Sequence, residues 1–360
     1  MRLKLALLAV GAAILLAVPI AWACASKADA PTDTPTPTSI QPSGSHSPAP
    51  PADAYIVYRD DTGTLAVRDF ATAKTYHNPI DATKEVIVLT RCTPDGSRIA
   101  YLKQIFDDAH STTRDVIIRG SNAPSDPLTV SSLVQWIAWS PDGNKLAMVE
   151  WNGQKKQGKI YIYDIATGQK TTILEGDQYI GNIGWSPLGD RLTFYLQSSD
   201  FREADIYTLK IDGSDKKRLT PGDGSFIWLD PAWSPDGKWL VAAGAALQTV
   251  QLYRIEADTG VVTQLTTSND IYKRNPYFSP DGSIVAYTGS VVQPAVSVNW
   301  NALHQYAIFT MKPDGTDERA LTADPRGTTP GPNDPFLNAY MLGWCAPGPW
   351  LDDLWTEAQQ

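Results

Sequence analysis

Three cysteines, four histidines and a series of aspartates in Pro-Asp-Gly triplets are the residues of this sequence best equipped for chemistry. His46, His77, His110 and His304 show no pairwise spacing that would put two imidazoles on one metal ion, and no cysteine clusters with them. No metal site, cofactor or catalytic residue is therefore expected. Asp142 and Asp236 could be taken for paired carboxylates, but a carboxylate in Pro-Asp-Gly serves the turn itself. A serine hydrolase would need a Gly-x-Ser-x-Gly elbow on an α/β domain. The sequence lacks that pattern, and twelve residues follow Gly348, so a non-enzymatic protein is expected. The odd cysteine count singles out Cys24, near the amino terminus, and leaves Cys92 and Cys345 as either a disulfide or two buried thiols.

The elements that must hold these residues follow from an internal repeat. Trp139-Ser-Pro-Asp-Gly143, Trp185-Ser-Pro-Leu-Gly189, Trp233-Ser-Pro-Asp-Gly237 and Phe278-Ser-Pro-Asp-Gly282 share one pattern. Cys92-Thr-Pro-Asp-Gly96 and Trp344-Cys-Ala-Pro-Gly348 are diverged copies. The glycines at 96, 143, 189, 237 and 282 are 47, 46, 48 and 45 residues apart, the period of one four-stranded propeller blade. Within a repeat, an apolar strand ends in the aromatic residue and Pro-Asp-Gly turns the chain. A second strand returns, as in 145–149 and 283–287. Third and fourth strands follow, as in 159–164 with 170–174, 205–209 with 217–220, and 251–255 with 262–266.

These Ser-Pro-Asp-Gly turns, the Ala-Tyr-like returning strands and the closing Leu-Thr pairs resemble the WD-like propeller repeats of the TolB family. They are also similar to those in the propellers of dipeptidyl peptidase IV relatives. The resemblance covers residues 54–348 and implies an all-β, six-bladed β-propeller. Segments 55–58, 64–69 and 73–76 match strands two to four of a blade whose first strand is found only at 340–344. The amino- and carboxy-terminal strands are thus expected to close the ring, which removes free sheet edges. Cys92 and Cys345 end the innermost strands of neighbouring blades, where a bond would staple the seam.

Ahead of the propeller, Arg2 and Lys4 precede an apolar run from Leu5 to Ala23, the layout of a secretory signal. Ala21-Trp22-Ala23-Cys24 resembles a lipoprotein cleavage box, with Trp22 where a small residue is usual. Lipidation of Cys24, plain cleavage and retention of the run as a span are the three alternatives. Pro, Thr, Ser and Ala dominate from Ser26 to Ala52, the composition of an extended tether. The expected layout is a signal at 1–23, a tether at 24–53, the propeller at 54–348 and a tail at 349–360. With 30 basic and 39 acidic residues the chain has a net charge of -9, which disfavours nucleic acid.

Binding is expected on the rim opposite the Pro-Asp-Gly turns. Two long segments, 291–305 and 325–338, rise there and bring Trp300, His304, Asp334 and Phe336. Residues just ahead of the first strands, namely Gln135, Asn182, Asp230, Arg274 and Asn275, are expected to line the channel entrance. The leading reading is a monomeric, exported, membrane-anchored binding module that presents this rim to a protein or peptide partner at the cell envelope. The TolB resemblance implies such a partner, although the α/β domain that precedes the propeller in TolB itself has the tether in its place here. A glycan-binding or glycan-processing propeller is the alternative, and it would require two channel carboxylates about 5–9.5 Å apart. A purely structural propeller is the third reading.

Overall fold

The computed structural model describes residues 55–59, 65–69, 75–78, 85–106, 112–123, 128–198, 202–246, 249–292, 304–321 and 340–345. Among them there is no helix, and the strands form five sheets, antiparallel but for one pair. One sheet joins β1 (Tyr55–Arg59), β2 (Leu65–Asp69) and β3 (Thr75–Asn78) to the last strand, β24 (Tyr340–Cys345), in the order β24-β1-β2-β3. The next contains β4 (Glu85–Cys92), β5 (Arg98–Phe106), β6 (Thr112–Gly120) and β7 (Leu128–Val130). A third holds β8 (Val134–Trp139), β9 (Lys145–Asn152), β10 (Gln157–Asp164) and β11 (Lys170–Gly176).

The largest sheet is two four-stranded units in succession. The first has β12 (Tyr179–Trp185), β13 (Arg191–Gln197), β14 (Ala204–Lys210) and β15 (Lys217–Arg218). The second has β16 (Ile227–Trp233), β17 (Trp239–Ala246), β18 (Thr249–Glu256) and β19 (Val262–Gln264). A single parallel pair, Ala204 with Ile227, joins them. The remaining sheet has β20 (Tyr272–Phe278), β21 (Val285–Val292), β22 (His304–Met311) and β23 (Arg319–Ala320).

The repeated turn explains why the first two strands of each unit pair in one register. In the copy at 233–239, the Ser234 hydroxyl donates to Asp236 Oδ1 at 2.6 Å and accepts from the Trp239 N–H at 3.0 Å. The Lys238 N–H also reaches Asp236 Oδ1, at 3.1 Å. Gly237 sits at φ 73°, where a side chain would be strained. Copies at Ser140–Asp142 and Ser279–Asp281 repeat the 2.6 Å contact, and Thr93–Asp95 substitutes a threonine. The aspartates that could have been read as paired carboxylates are therefore turn residues. Where Leu188 replaces the aspartate, the Ser186 hydroxyl accepts from the Leu188 N–H instead.

These hydrogen bonds hold Asp142 below its ordinary carboxyl pKa, the Ser140 hydroxyl being the largest influence. In Asp236 and Asp281 burial is the largest single influence and pushes the other way, yet the hydrogen bonds outweigh it. A carboxyl whose folded pKa is depressed stabilises the fold above its unfolded value and loses that contribution as the pH falls. Thermal stability is accordingly expected to drop as pH is lowered below about 4. Ser234→Ala should cost about 1–3 kcal/mol, since the buried hydroxyl is lost from both Asp236 and the Trp239 N–H, and the variant's melting curve should depend less on acid than the parent's. A Ser234→Ala protein that melts like the parent at neutral pH would show the turn bond to be dispensable.

Packing joins successive units. Ala138, Ala147, Val149 and Ile160 from the third sheet bury against Ile180, Ile183, Leu192, Phe194 and Leu196 from the next. The motif tryptophan also ties neighbours together: Trp139 Nε1 donates to the Arg91 carbonyl at 3.0 Å, linking β8 to β4. At the far end β24 completes the first sheet by pairing Tyr55 with Cys345, Ile56 with Trp344 and Val57 with Gly343. Cys92 and Cys345 are joined by a disulfide with their Cα atoms 5.5 Å apart, which ties β4 to β24. Of the two alternatives the cysteines left open, the structure takes the bond.

Candidate functional site

The first strands of the units, β4, β8, β12, β16, β20 and β24, all carry a register irregularity against their second strand. The ladder slips past Val88, Gln135, Asn182 with Ile183, Asp230 with Pro231, Asn275 with Pro276, and Leu342. A bulge of this kind bends a strand and re-aims a side chain. Asn182, Asp230 and Asn275 adopt φ values of 39°, 55° and 50°. Asparagine and aspartate tolerate this left-handed region better than other residues with a Cβ. Proline at the second bulge position withdraws no ladder hydrogen bond, because that position is unpaired.

The sequence pattern places Gln135, Asn182, Asp230, Arg274 and Asn275 just ahead of the first strands; the structure places all five inside them. The bulge is the physical reason. It breaks the apolar alternation, so a polar residue reads as the end of a loop although the strand continues through it.

Four of the five are brought together. Arg274 Nε donates to Asp230 Oδ2 at 2.6 Å and its Nη2 reaches Oδ1 at 3.4 Å, so β20 grips β16. The Asn275 N–H adds a third contact to Asp230 Oδ2 at 3.2 Å. Asp230 is almost wholly buried, as are Asn182 and Asn275. Asn182 Oδ1 accepts from Arg91 Nη2 at 3.3 Å, a contact between β12 and β4. Gln135 turns back on its own strand, its amide donating to the Leu133 carbonyl.

Two members of this cluster, Arg91 and Tyr277, were not singled out from the sequence. Arg91 is fixed by a 2.8 Å bond from Nη1 to the Thr90 carbonyl and lies 5.3 Å from the centre of the Tyr277 ring. Burial pushes the Tyr277 hydroxyl above its ordinary pKa, with Arg91 and Asn182 pulling against it, so it stays protonated at neutral pH. A signal for both was available. The residue preceding the motif aromatic is Ala138, Gly184, Ala232 and Gly343 in four copies, but Arg91 and Tyr277 in the other two. Where four positions are small, two large polar side chains have room to meet. Beside them on β20, Lys273 is fully buried and its ammonium donates to the Ser268 carbonyl at 2.8 Å and hydroxyl at 3.0 Å.

Trp300, Asp334 and Phe336 lie outside the described residues, as does Cys24. His304 is the first residue of β22 and pairs with Val292, while Gln305 pairs with Val291. The segment read as an insertion over 291–305 therefore contributes strand at both ends.

The arrangement offers fixed hydrogen-bond donors and acceptors together with a neutralised ion pair. Of the described residues that meet here, Asp230 alone carries a carboxylate, and Arg274 and the Asn275 N–H already engage it.

Comparison with known proteins gives the chain its relatives. The family model for the TolB beta propeller domain matches residues 128–331. Dipeptidyl-peptidase 5 of Aspergillus fumigatus is 21% identical over 260 residues, covering 70% of this chain and 34% of the peptidase. The crystal structure of TolB from Acinetobacter baumannii superposes with a TM-score of 0.58 at 19% identity, covering 81% of this chain and 66% of that one. Oligogalacturonate lyase from Vibrio parahaemolyticus gives a TM-score of 0.51 at 12% identity, with 76% and 80% covered. The chain thus spans about a third of the peptidase it matches, and at these identities the two structures show the fold alone.

Proposed function

The chain belongs to the TolB β-propeller family, and from that premise we propose that it is a non-enzymatic binding module of the cell envelope that receives a protein or peptide segment at the centre of its propeller. The observation that carries this reading is the cluster of Arg91, Asn182, Asp230, Arg274, Asn275 and Tyr277. It draws on four first strands and is rigid, polar and mixed in charge. Its half-buried members, Arg91, Arg274 and Tyr277, can read a peptide by charge and hydrogen bonding while the buried Asn182, Asp230 and Asn275 hold them in place, whereas acid–base chemistry would need a carboxylate that is not already committed.

The propeller in this proposal has six blades and closes between its termini. Two observations support it: the pairing of β24 with β1, and the order in which first strands lie against one another, from β4 through β8, β12, β16 and β20 to β24 and back to β4. The rest of the proposal is that residues 1–23 direct export, that 24–53 tether residues 54–348 to the membrane through Cys24 or the apolar run, and that 349–360 form a tail. One copy of the chain suffices to build the site.

Capture from solubilised envelope by the full chain tests the reading. A partner should be recovered by the parent protein and recovered at least tenfold less by an Asp230→Asn, Arg274→Gln double variant, which keeps shape and net charge while weakening the polar centre. A third protein lacking residues 293–303 reports on the rim. Equal recovery by all three would overturn the proposal.

A further inference from the structure

Trp136 of β8, Trp151 of β9, Tyr179 of β12 and Tyr195 of β13 meet at the seam between two successive units. The Trp151 and Tyr179 rings stand 5.4 Å apart, centre to centre, at an angle of 78°, and both residues are half-buried, as is Trp136. Tyr179 opens its strand and Trp151 nears the end of its own, where its backbone N–H donates to the Leu133 carbonyl. The two rings therefore lie at the end of the units opposite the Pro-Asp-Gly turns. We infer that the notch between them docks a proline-bearing, extended segment of a protein partner. The inference rests on the binding-module reading for the existence of that partner, and on the notch itself for the chemistry of the segment.

The walls are fixed before a ligand arrives. Trp136 Nε1 donates to the Tyr179 hydroxyl at 3.4 Å, and the buried Tyr195 backs Tyr179 with ring centres 6.2 Å apart. Tyr195 lies across Gly181, where an added Cβ would run into its ring. The polar end of Tyr179 is thus engaged, and the residue offers apolar ring surface to the notch. Trp151 supplies the polar contact, since its indole N–H has no hydrogen-bond partner among the described residues. A Cβ built on the exposed Gly153 would meet only Trp151 Nε1, at 3.6 Å, so that side of the indole is otherwise open.

Two apolar walls near a right angle and one open donor match proline in a polyproline II segment. The pyrrolidine ring fills the notch, and the carbonyls of that helix, which makes no internal hydrogen bonds, accept from an outside donor. Such a segment is ordered before it binds, and aromatic-lined grooves exploit that low entropic cost. A glycan would need hydrogen bonds for the hydroxyls around its ring. Two of the amides flanking these aromatics in sequence are already engaged, Gln135 with the Leu133 carbonyl and Asn152 Oδ1 with the Lys155 N–H. Gln178, beside Tyr179, is exposed.

The full chain, labelled with ¹⁵N, is titrated with acetylated and amidated hexaproline, with an equally capped glycine–serine hexapeptide and with maltohexaose. Hexaproline should shift the Trp151 indole and the Tyr179 amide saturably, and the other two should not. Trp151→Ala should weaken hexaproline binding on the order of tenfold or more, the loss expected of an aromatic anchor. Trp151→Phe keeps an apolar ring without the donor, so it should weaken binding less and keep the parent's melting curve. The absence of a saturable shift from hexaproline would overturn the inference. So would maltohexaose or the glycine–serine peptide binding as tightly, or affinity that is unchanged in both Trp151 variants. If the alanine variant does not fold, unchanged affinity in Trp151→Phe suffices. Partner capture without hexaproline binding would remove this inference alone, whereas hexaproline binding without any captured partner would remove the binding-module reading instead.

Discussion

A chain ending at Asn338 is expected to lose cooperative unfolding altogether, giving an aggregating or broadly melting product where the full chain shows a sharp transition. Three losses coincide in that truncation. The sheet containing β1, β2 and β3 loses the strand that pairs with Tyr55–Arg59, which leaves an open edge suited to pairing with other chains. Ile56 and Tyr58, almost completely buried, lose Trp344 from their apolar cluster, and the equally buried Val57 loses Cys345 from its own. Cys92 loses its disulfide partner. Each loss is worth a few kcal/mol, and together they are of the same order as the whole stability of a domain, about 5–15 kcal/mol. Calorimetry or circular dichroism melting decides the matter. A truncated protein with a sharp transition at the parent's temperature would refute the idea that β24 is needed to complete the fold.

Replacing Cys92 and Cys345 together by alanine is expected to cost about 2–5 kcal/mol, at the upper end because the bond spans 253 residues. The cross-link removes freedom from the unfolded chain, and the cost of closing a loop rises with its length. In a domain of this size the loss should lower the melting temperature on the order of 10 °C. Reductant should reproduce the effect in the parent and do nothing further to the double variant. Alanine is the better replacement at Cys345, since that site is buried and a serine hydroxyl there would need a partner. If the variant melts at the parent's temperature under non-reducing conditions, the bond does not stabilise the seam.

Both expectations concern places where distant parts of the chain meet, and they show how unevenly the fold was legible. The repeat was readable because its signals are local. Ser-Pro-Asp-Gly carries its own hydrogen bonds within five residues, as the Ser234, Asp236 and Trp239 contacts show, so the turn looks the same wherever it occurs. The pairing of 340–345 with 55–59 was legible only by counting, since a missing first strand at one end implied a spare one at the other. Whether Cys92 and Cys345 were bonded was not legible, because their separation depends on how two units abut.

The polar cluster was half legible. Asn182, Asp230, Arg274 and Asn275 stood out by type, but their position inside bulged strands was hidden by the break in alternation that the bulge creates. Arg91 and Tyr277 were passed over, although a comparison of the residue before each motif aromatic would have exposed them against Ala138, Gly184, Ala232 and Gly343. The segments at 291–305 and 325–338 drew attention by length, and the first proved to be partly strand.

By itself, then, the sequence determined the all-β class, the blade period, the turn chemistry and the assignment of the Pro-Asp-Gly carboxylates to structure. All of these depend on neighbours a few residues apart. Only the tertiary structure decided that the two cysteines bond, that Arg274 neutralises Asp230, that Arg91 reaches Asn182 across 91 positions, and that Trp151 meets the Tyr179 ring at the seam between two units. Those facts depend on where strands from different units converge. Side chains far apart in the chain are brought within hydrogen-bonding distance by the packing of whole sheets, and a local pattern carries no record of that packing.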